Sequence, residues 1–346
     1  GAPVNPQEGR ASRNSPGIMS DADRVEDTSL DMGPWKAYAS SHHGGRVFWI
    51  HDETGHRTWA QPLPERIPLR ACKEFNAMAV NATWSAFIDI CYVCTADFGS
   101  KVPSCKTISG SVPDMAQVLA SIEHIAPAFL LYAPGFPQAA GLDQIVFCSK
   151  LHYGGQRRGH VPSFHSRTMY IDCLPQPKRR AVSSFHHELW HFADYTMLGR
   201  DYEFGDAEWQ QLNPEGFRYG KGGAAMRSED STSGYMGSAG CDSFLNRYST
   251  ASAAEDKAEV WAATMTAAEL LQQSPTLSQK SHLLQQRAAQ LTPGMADSQL
   301  WMQVLHAQHL AKGEDDEWEQ YVTDAGRPWW FNRTTHEKRW VKPESS

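Results

Sequence analysis

The segment His187-Glu188-Leu189-Trp190-His191 combines two imidazoles and a carboxylate at a spacing that could perform metal-assisted hydrolysis. On a helix, residues four apart share one face, so both imidazoles can reach one ion while Glu188 points at the opening beside it. Zinc prefers such nitrogen ligands in a tetrahedron whose fourth position stays open for water, and a neighbouring carboxylate can take a proton from that water. The spacing therefore predicts a metal site with a general base.

A third ligand must come from elsewhere in the chain. A histidine six residues after His191 would complete a three-histidine site, but Met197 occupies that position. Glu255 and Glu259 lie four residues apart at the start of an apolar helical segment, so one can bind the metal while the other fixes a ligand histidine. Tyr248, seven residues before Glu255, carries a hydroxyl that can donate to a developing oxyanion.

Helices must position both motifs, and the apolar spacing predicts them. The first helix is expected from Ser183 to about Leu198, with Ser183 or Ser184 as its N-cap and Gly199 as its end. The second is expected from Glu255 to about residue 273. The other patterns predict strands over 84–94, 143–148 and 168–173, a helix over 115–125, a mobile loop over 220–243, and one or two helices over 276–311 broken at Pro293.

The order of these motifs resembles a known family. His187-Glu-x-x-His191-x-x-Asp194, Asp206-Ala-Glu-Trp209, Leu212 to Tyr219, and Tyr248 to Glu255-Asp-x-Ala-Glu259 are similar to a bacterial family of zinc-binding metallopeptidases. The Tyr and Glu spacing also resembles the gluzincin catalytic domain of anthrax lethal factor. The resemblance covers roughly residues 110–275 and is tightest over 183–265.

This resemblance implies a zincin-like fold, a single zinc ion, and a role for each matching residue. His187, His191 and Glu255 are implied to bind the zinc, and Glu188 to act as the base. Tyr248 is implied to stabilise the tetrahedral intermediate. Asp194 and Glu259 are implied to orient the ligands.

Two Trp-rich stretches repeat one another near the ends of the chain. The first contains Trp35, Gly45 to Thr54, Trp59 and Pro62, and the second contains Trp318, Gly326 to Thr335, Trp340 and Pro343. Both resemble the WW domain, a three-stranded sheet that binds proline-rich peptides.

The WW resemblance implies two functions for the aromatic residues. Two Trp residues and a Pro are implied to pack together as a buckle that holds each module together. These are Trp35, Trp49 and Pro62 in the first module, and Trp318, Trp330 and Pro343 in the second. Phe48 with Trp59, and Trp329 with Trp340, are implied to line a groove for proline rings in polyproline II conformation. Two positions depart from the family pattern and predict an unusual ligand preference: Asp52 and Arg333 replace a His, and Arg57 and Lys338 replace a Thr.

The composition narrows the class of protein. The chain has 346 residues and a net charge of −7, which suits a catalytic domain with small modules and argues against a general nucleic-acid binder. No uncharged apolar run approaches the ~20 residues that span a bilayer, and the N-terminal residues lack the pattern of a signal peptide.

Seven widely spaced cysteines predict free, mostly buried thiols. Cys91 and Cys94 lie in an expected strand, where residues three apart face opposite sides, so a metal site there is not expected.

The predicted organisation is an α+β protein with a flexible tail (1–31), a WW-like module (32–64), a zincin-like domain (65–312) and a second WW-like module (313–346). We expect a zinc endopeptidase whose modules recruit proline-rich substrates or partners, with neither nucleic acid nor membrane as a partner. The alternative is a catalytically silent scaffold whose modules bind proline-rich proteins. The WW resemblance implies a cytoplasmic or nuclear location.

Overall fold

The computed structural model describes residues 32–40, 46–76, 81–99, 107–229, 237–312, 318–322, 327–332 and 337–341. The predicted N-terminal tail lies outside the described residues, as do Cys105, Arg333 and Pro343. The described part forms two three-stranded sheets and one seven-stranded sheet accompanied by helices. This confirms the mixed α+β class that the sequence predicts.

The first Trp-rich stretch folds into three antiparallel strands, β1 (Trp35–Ser40), β2 (Arg46–His51) and β3 (Arg57–Thr58), paired in that order. Aromatic and β-branched residues, which favour extended backbone, dominate β2. Trp49 lies opposite Ala37 of β1 and Thr58 of β3. Between β2 and β3, Gly55 adopts a φ of 65°, a conformation that glycine tolerates because it has no Cβ.

The central domain is built on the seven-stranded sheet. Its strands are β4 (Arg66–Pro68), β5 (Cys91–Cys94), β6 (Ile108–Ser111), β7 (Gln144–Tyr153), β8 (Gln156–Arg157), β9 (His160–Ser163) and β10 (Thr168–Asp172). The order across the sheet is β4-β5-β7-β10-β9, and β6 and β8 also pair with β7. β5 and β10 run parallel to β7, whereas β9 runs antiparallel to β10 at the edge. β10 is buried throughout, including the polar residues at its two ends, Thr168 and Asp172.

Eleven α-helices are present in the described residues, besides short 3₁₀ helices: α1 (Lys73–Asn76), α2 (Ser85–Ile88), α3 (Met115–Phe129), α4 (Phe136–Ala140), α5 (Lys178–Leu198), α6 (Ala207–Gln210), α7 (Gly223–Glu229), α8 (Ala253–Thr266), α9 (Ala268–Leu271), α10 (Pro275–Leu291) and α11 (Ser298–Lys312). α5 is the central one, because it packs against α8, α3 and β9. Trp190 of α5 meets Trp261 of α8 with their ring centroids 4.5 Å apart. This contact lies in the main hydrophobic core.

The second Trp-rich stretch repeats the first as β11 (Trp318–Val322), β12 (Pro328–Asn332) and β13 (Lys338–Arg339). Trp330 lies opposite Gln320 and Arg339, the position that Trp49 has in the first sheet. Trp330 is half-buried, whereas Trp49 is only 1% exposed. The two modules therefore share a topology and differ in how deeply the corresponding Trp is covered.

The helix that carries the metal motif begins earlier than predicted. α5 starts at Lys178 directly after Pro177, whose extended backbone (φ −54°, ψ 136°) precedes the first turn, so neither Ser183 nor Ser184 is the N-cap. Ser183 and Ser184 lie inside the helix, because the exposed residues from Lys178 onward are already helical and form its first turn. The predicted end is confirmed at Gly199, which has a φ of 60°.

Three other segments differ from their predicted structure. The helix expected from Glu255 to about residue 273 begins at Ala253 and ends at Thr266, and the short helix α9 (Ala268–Leu271) follows it. Residues 84–94 form α2 followed by β5 instead of one strand, since a short apolar run suits either conformation. The expected loop over 220–243 contains α7, and residues 230–236 lie outside the described part.

The first module packs directly against the central sheet. Trp49 shares a hydrophobic cluster with Val146 of β7 and Tyr170 of β10. Gln61, which follows β3 within the module, pairs with β6 in both directions: its Nε2 donates to the Ile108 carbonyl (2.7 Å), and the Ile108 N–H donates to its Oε1 (2.8 Å). The first module is therefore continuous with the core of the central domain.

The described cysteines agree with the prediction of free thiols. Five of them are free and buried, namely Cys72, Cys91, Cys94, Cys148 and Cys173. The sixth, Cys241, is free and exposed. Cys91 and Cys94 belong to different hydrophobic clusters, as expected for residues on opposite faces of a strand. None of the helices in the described ranges combines the length and apolar character needed to span a bilayer.

Candidate metal centre

α5 carries the two predicted histidines and the predicted base. His187 and His191 lie one turn apart, are both buried, and have ring centroids 4.7 Å apart. Their Nε2 atoms are separated by 3.1 Å. Glu188 is half-buried directly after His187 in the helix.

α8 brings a carboxylate to the same point. Ser252 caps this helix by accepting a hydrogen bond from the Glu255 N–H (3.2 Å), which places Glu255 in the first turn. Glu255 Oε2 lies 3.1 Å from His187 Nε2 and 3.4 Å from His191 Nε2. The three side chains form a group that could hold a metal ion.

The three converging atoms fit the corners of a tetrahedral site. Ligands ~2.0–2.2 Å from a zinc ion lie about 3.3–3.6 Å from one another. The observed separations of 3.1, 3.1 and 3.4 Å are close to that geometry. Two imidazole nitrogens and a carboxylate oxygen are also a donor set that suits zinc.

Glu259 approaches His187 from the other side of the ring. Its Oε1 lies 3.0 Å from His187 Nδ1, and its Oε2 accepts a hydrogen bond from Asn246 Nδ2 (2.7 Å). The contact favours a proton on Nδ1 and directs Nε2 towards Glu255 and His191. Burial disfavours a charged His187, but hydrogen bonds to Glu255 and Glu259 outweigh burial and raise the pKa of His187 to about 10.

Tyr248 lies against the metal-binding group. Its hydroxyl donates to Glu255 Oε1 (2.8 Å), and its ring stacks on His187 with centroids 6.3 Å apart. Arg227 Nε donates to the same phenolic oxygen (3.1 Å). Burial and the nearby Glu255 charge raise the pKa of Tyr248 well above its usual range, so the phenol keeps its proton. A neutral hydrogen-bond donor is thus available at the site.

Asp194 does not orient a ligand histidine in the way that the resemblance implies. Among the described residues no hydrogen bond joins it to His187 or His191. Its buried carboxylate lies 2.7 Å from Lys257 Nζ, which also contacts Asp206 at 3.0 Å. Asp194 therefore ties α5 to α8 through an ion pair.

Two residues from the other motifs of the resemblance, Trp209 and Tyr219, contact α8 next to Glu255. Asp256, the residue after Glu255, accepts hydrogen bonds from Trp209 Nε1 (2.9 Å), the Tyr219 hydroxyl (2.7 Å) and Lys280 Nζ (2.7 Å). All these contacts converge on the buried Oδ2 atom. They hold the first turn of α8, and with it Glu255, in place.

The aromatic residues implied to bind peptides differ in exposure, and Phe48 is buried. In the first module, Phe48 and Trp59 have ring centroids 5.4 Å apart, and Trp59 is 43% exposed. Trp340 of the second module is 55% exposed, and the Arg327 guanidinium lies 4.4 Å from its ring centroid. Trp329 is half-buried in the same module.

Several groups at the site have no counterpart in the sequence prediction. Asn246 and Arg158 lie in connecting segments without periodicity, and Arg227 lies in the segment expected to be a loop. The Gly222-Gly223 pair is the only local signal, because adjacent glycines often mark a close approach of the backbone. A Cβ at residue 223 would collide with Glu255 Oε1 and the Tyr248 hydroxyl.

Comparisons of this chain with protein-family models, with curated proteins and with solved structures found no match. The chemistry of the site is therefore inferred from its own residues.

Proposed function

We propose that this protein is a zinc-dependent peptidase with a zincin-like catalytic domain. The observation that carries the proposal is the convergence of His187, His191 and Glu255 within 3.4 Å of one another, with Tyr248 bonded to the same carboxylate. Both histidines are buried, and the ion pair between Lys257 and Asp194 holds α8 and α5 together behind them, which supports a preorganised group.

When bound at these residues, a zinc ion supplies a Lewis acid that polarises a carbonyl and lowers the pKa of water. Glu188 accepts the proton of the attacking water and returns it to the nitrogen of the leaving amine. Tyr248 donates a hydrogen bond to the oxygen on which negative charge develops. Its phenol would exchange its Glu255 partner for that oxygen, while Arg227 holds the phenolic oxygen.

The modules are proposed to select partners for this activity. The exposed ring of Trp59, which packs at a tilt against the buried Phe48, is an aromatic surface of the kind on which proline rings pack. Arg46 lies 4.9 Å from the Trp59 ring, and Arg327 takes a similar position over Trp340. A cation beside each groove favours proline-rich peptides that also carry acidic residues.

Glu188→Gln tests the proposed reaction. The variant should bind zinc as the unaltered protein does but lose hydrolysis, because the amide cannot accept a proton and Glu188 is not one of the three converging ligands. Hydrolysis of a peptide mixture is measured by mass spectrometry with and without a chelator, and zinc content by elemental analysis. Glu123→Gln, at an exposed position of α3, is the matched control. Turnover that persists in Glu188→Gln would contradict the mechanism, and a protein that binds zinc but never cleaves would favour the scaffold alternative.

A further inference from the structure

α7 places a guanidinium at the proposed catalytic site. Its first residue, Gly223, lies so close to Glu255 and Tyr248 that only a residue without a Cβ fits. Arg227, four residues later on the same side of the helix, donates from Nε to the Tyr248 hydroxyl (3.1 Å). The Arg227 guanidinium also lies 4.7 Å from the Tyr248 ring centroid. α7 therefore forms one wall of the site.

A second guanidinium reaches this wall from the sheet. Arg158 lies between β8 and β9, and its Nη2 donates to Gln156 Oε1 (2.6 Å). The amide nitrogen of the same Gln156 side chain, Nε2, donates to the carbonyl of Ala224 in the first turn of α7 (3.4 Å). Gln156 thus links Arg158 to the residue that follows Gly223.

The two arginines are close enough to influence one another. Partial burial, and then the charge of Arg227, lower the pKa of Arg158, while Tyr248, Glu188 and Glu255 oppose that change. Two carboxylates of the site have roles of their own, since Glu255 faces the histidines and Glu188 is the proposed base. Glu203 lies against Gly222, and its charge acts on Glu255 and His191.

We propose that Arg158 and Arg227 form a subsite for a substrate carboxylate, so that the enzyme prefers peptides with a carboxylate close to the scissile bond. This inference rests on the proposed peptidase function. Guanidinium groups bind carboxylates through paired, charge-assisted hydrogen bonds, and two of them on one wall can hold both oxygens. The carboxylate is either an Asp or Glu side chain or the C-terminus of the peptide, since both present the same group.

Matched peptides test the preference in the full-length, zinc-loaded protein. Digestion of a peptide library first identifies a cleaved sequence, and derivatives then carry Glu or Gln on either side of the bond, each with a free or amidated C-terminus. We expect kcat/KM to be roughly tenfold to a hundredfold higher for the carboxylate-bearing peptides, as for a charge-assisted hydrogen bond. A preference that follows Glu assigns the subsite to a side chain, and one that follows the free terminus assigns it to the C-terminus.

Arg158→Gln should reduce this preference towards one, mainly by raising KM for the acidic peptide, because the hydrogen bond described for the Arg158 side chain goes to Gln156 rather than to Tyr248. Arg158→Lys should restore part of the preference. Arg70→Gln, which removes an exposed arginine paired with Asp89, is the matched control and should keep it. Arg227→Gln should lower both the preference and kcat, because this side chain contacts Tyr248.

Binding gives a readout that does not depend on turnover. Fluorescence anisotropy of the Glu and Gln peptides with zinc-loaded Glu188→Gln should show the same preference, and Arg158→Gln in that background should remove it. If proteins that retain Arg158 bind acidic and neutral peptides equally and cleave them with equal kcat/KM, the proposed carboxylate subsite is wrong. The peptidase proposal would remain intact. Absence of any chelator-sensitive cleavage would contradict the peptidase proposal, and the anisotropy would still decide whether the wall binds carboxylates.

Discussion

His187 lies between two carboxylates, with Glu255 Oε2 at 3.1 Å from Nε2 and Glu259 Oε1 at 3.0 Å from Nδ1. Without a cation this arrangement favours the protonated ring, which is why the pKa of His187 is raised to about 10 despite the opposing effect of burial. A divalent ion at Nε2 would take the place of that proton and pair with the same Glu255 charge. Metal binding at this site should therefore release a proton.

The two glutamates should differ in their effect on the metal. Glu255→Ala should strongly lower zinc content, because it removes one of three converging ligand atoms. Glu259→Gln should weaken zinc binding by about 10–100-fold, as expected for a residue that orients a ligand histidine. Competition with a chromophoric chelator measures both affinities. Unchanged affinity in Glu255→Ala would place the third ligand elsewhere, with Glu259, Glu203 and Glu208 the next candidates.

Tyr248→Phe should keep the fold and the metal but lose hydrolysis. The phenol is the neutral donor beside Glu255, and loss of one oxyanion donor lowers kcat by about 10²–10³. Steady-state kinetics on the best library peptide measures this effect, with zinc content as the control. A decrease of only a few-fold would mean that Tyr248 serves to pack against the His187 ring.

At the scale of elements, buried ion pairs hold the helices that bear the site. Lys257 on α8 is fully buried and contacts Asp194 of α5 at 2.7 Å and Asp206 at 3.0 Å. Arg287 on α10 contacts Asp206 at 2.6 Å. Because α5 supplies the histidines and α8 supplies Glu255, this network sets the distance between them.

Lys257→Met should destabilise the central domain by about 3–5 kcal/mol, since it leaves buried carboxylates without their cation. Chemical denaturation measures the loss of stability, and Lys73→Met, at an exposed lysine of α1, is the matched control. In the folded fraction we also expect weaker zinc binding, because α8 is no longer tied to α5. Stability equal to that of the control would mean that the pairs contribute nothing net.

At the scale of the whole molecule, the two modules are attached differently. The first shares a hydrophobic cluster with β7 and β10, and Gln61 pairs with β6. In the second module, the Trp equivalent to Trp49 remains half-buried. The first module therefore covers one face of the central sheet and leaves Trp59 exposed.

Trp49→Ala should destabilise the central domain together with the first module, by about 3–5 kcal/mol for a buried Trp. Trp330→Ala should unfold the second module alone. Trp59→Ala, at an exposed groove residue, should keep stability and lose proline-peptide binding. Thermal unfolding followed by activity on a short peptide without proline compares the three variants. Equal activity loss in Trp49→Ala and Trp330→Ala would contradict the difference in attachment.

Local patterns in the sequence predicted much of this protein. The HExxH spacing predicted which faces of α5 carry His187 and His191, because a helix repeats every 3.6 residues whatever surrounds it. The repeated Trp-rich pattern likewise predicted both small sheets. Residues 84–94 were misread because a short apolar run does not distinguish a helical turn from a strand.

Only tertiary structure decided which residues meet. Glu255 and Glu259 lie on one face of α8; their spacing alone left open which of them faces both histidines, whereas the family resemblance implied Glu255. Packing of Trp261 on Trp190 and the Lys257 ion pairs rotate α8 so that Glu255 faces both Nε2 atoms and Glu259 faces Nδ1. Such choices depend on contacts between residues distant in the chain, which no local periodicity encodes. The same reason explains why the approach of Arg158 to the site and the packing of the first module on the sheet became visible only in the folded structure.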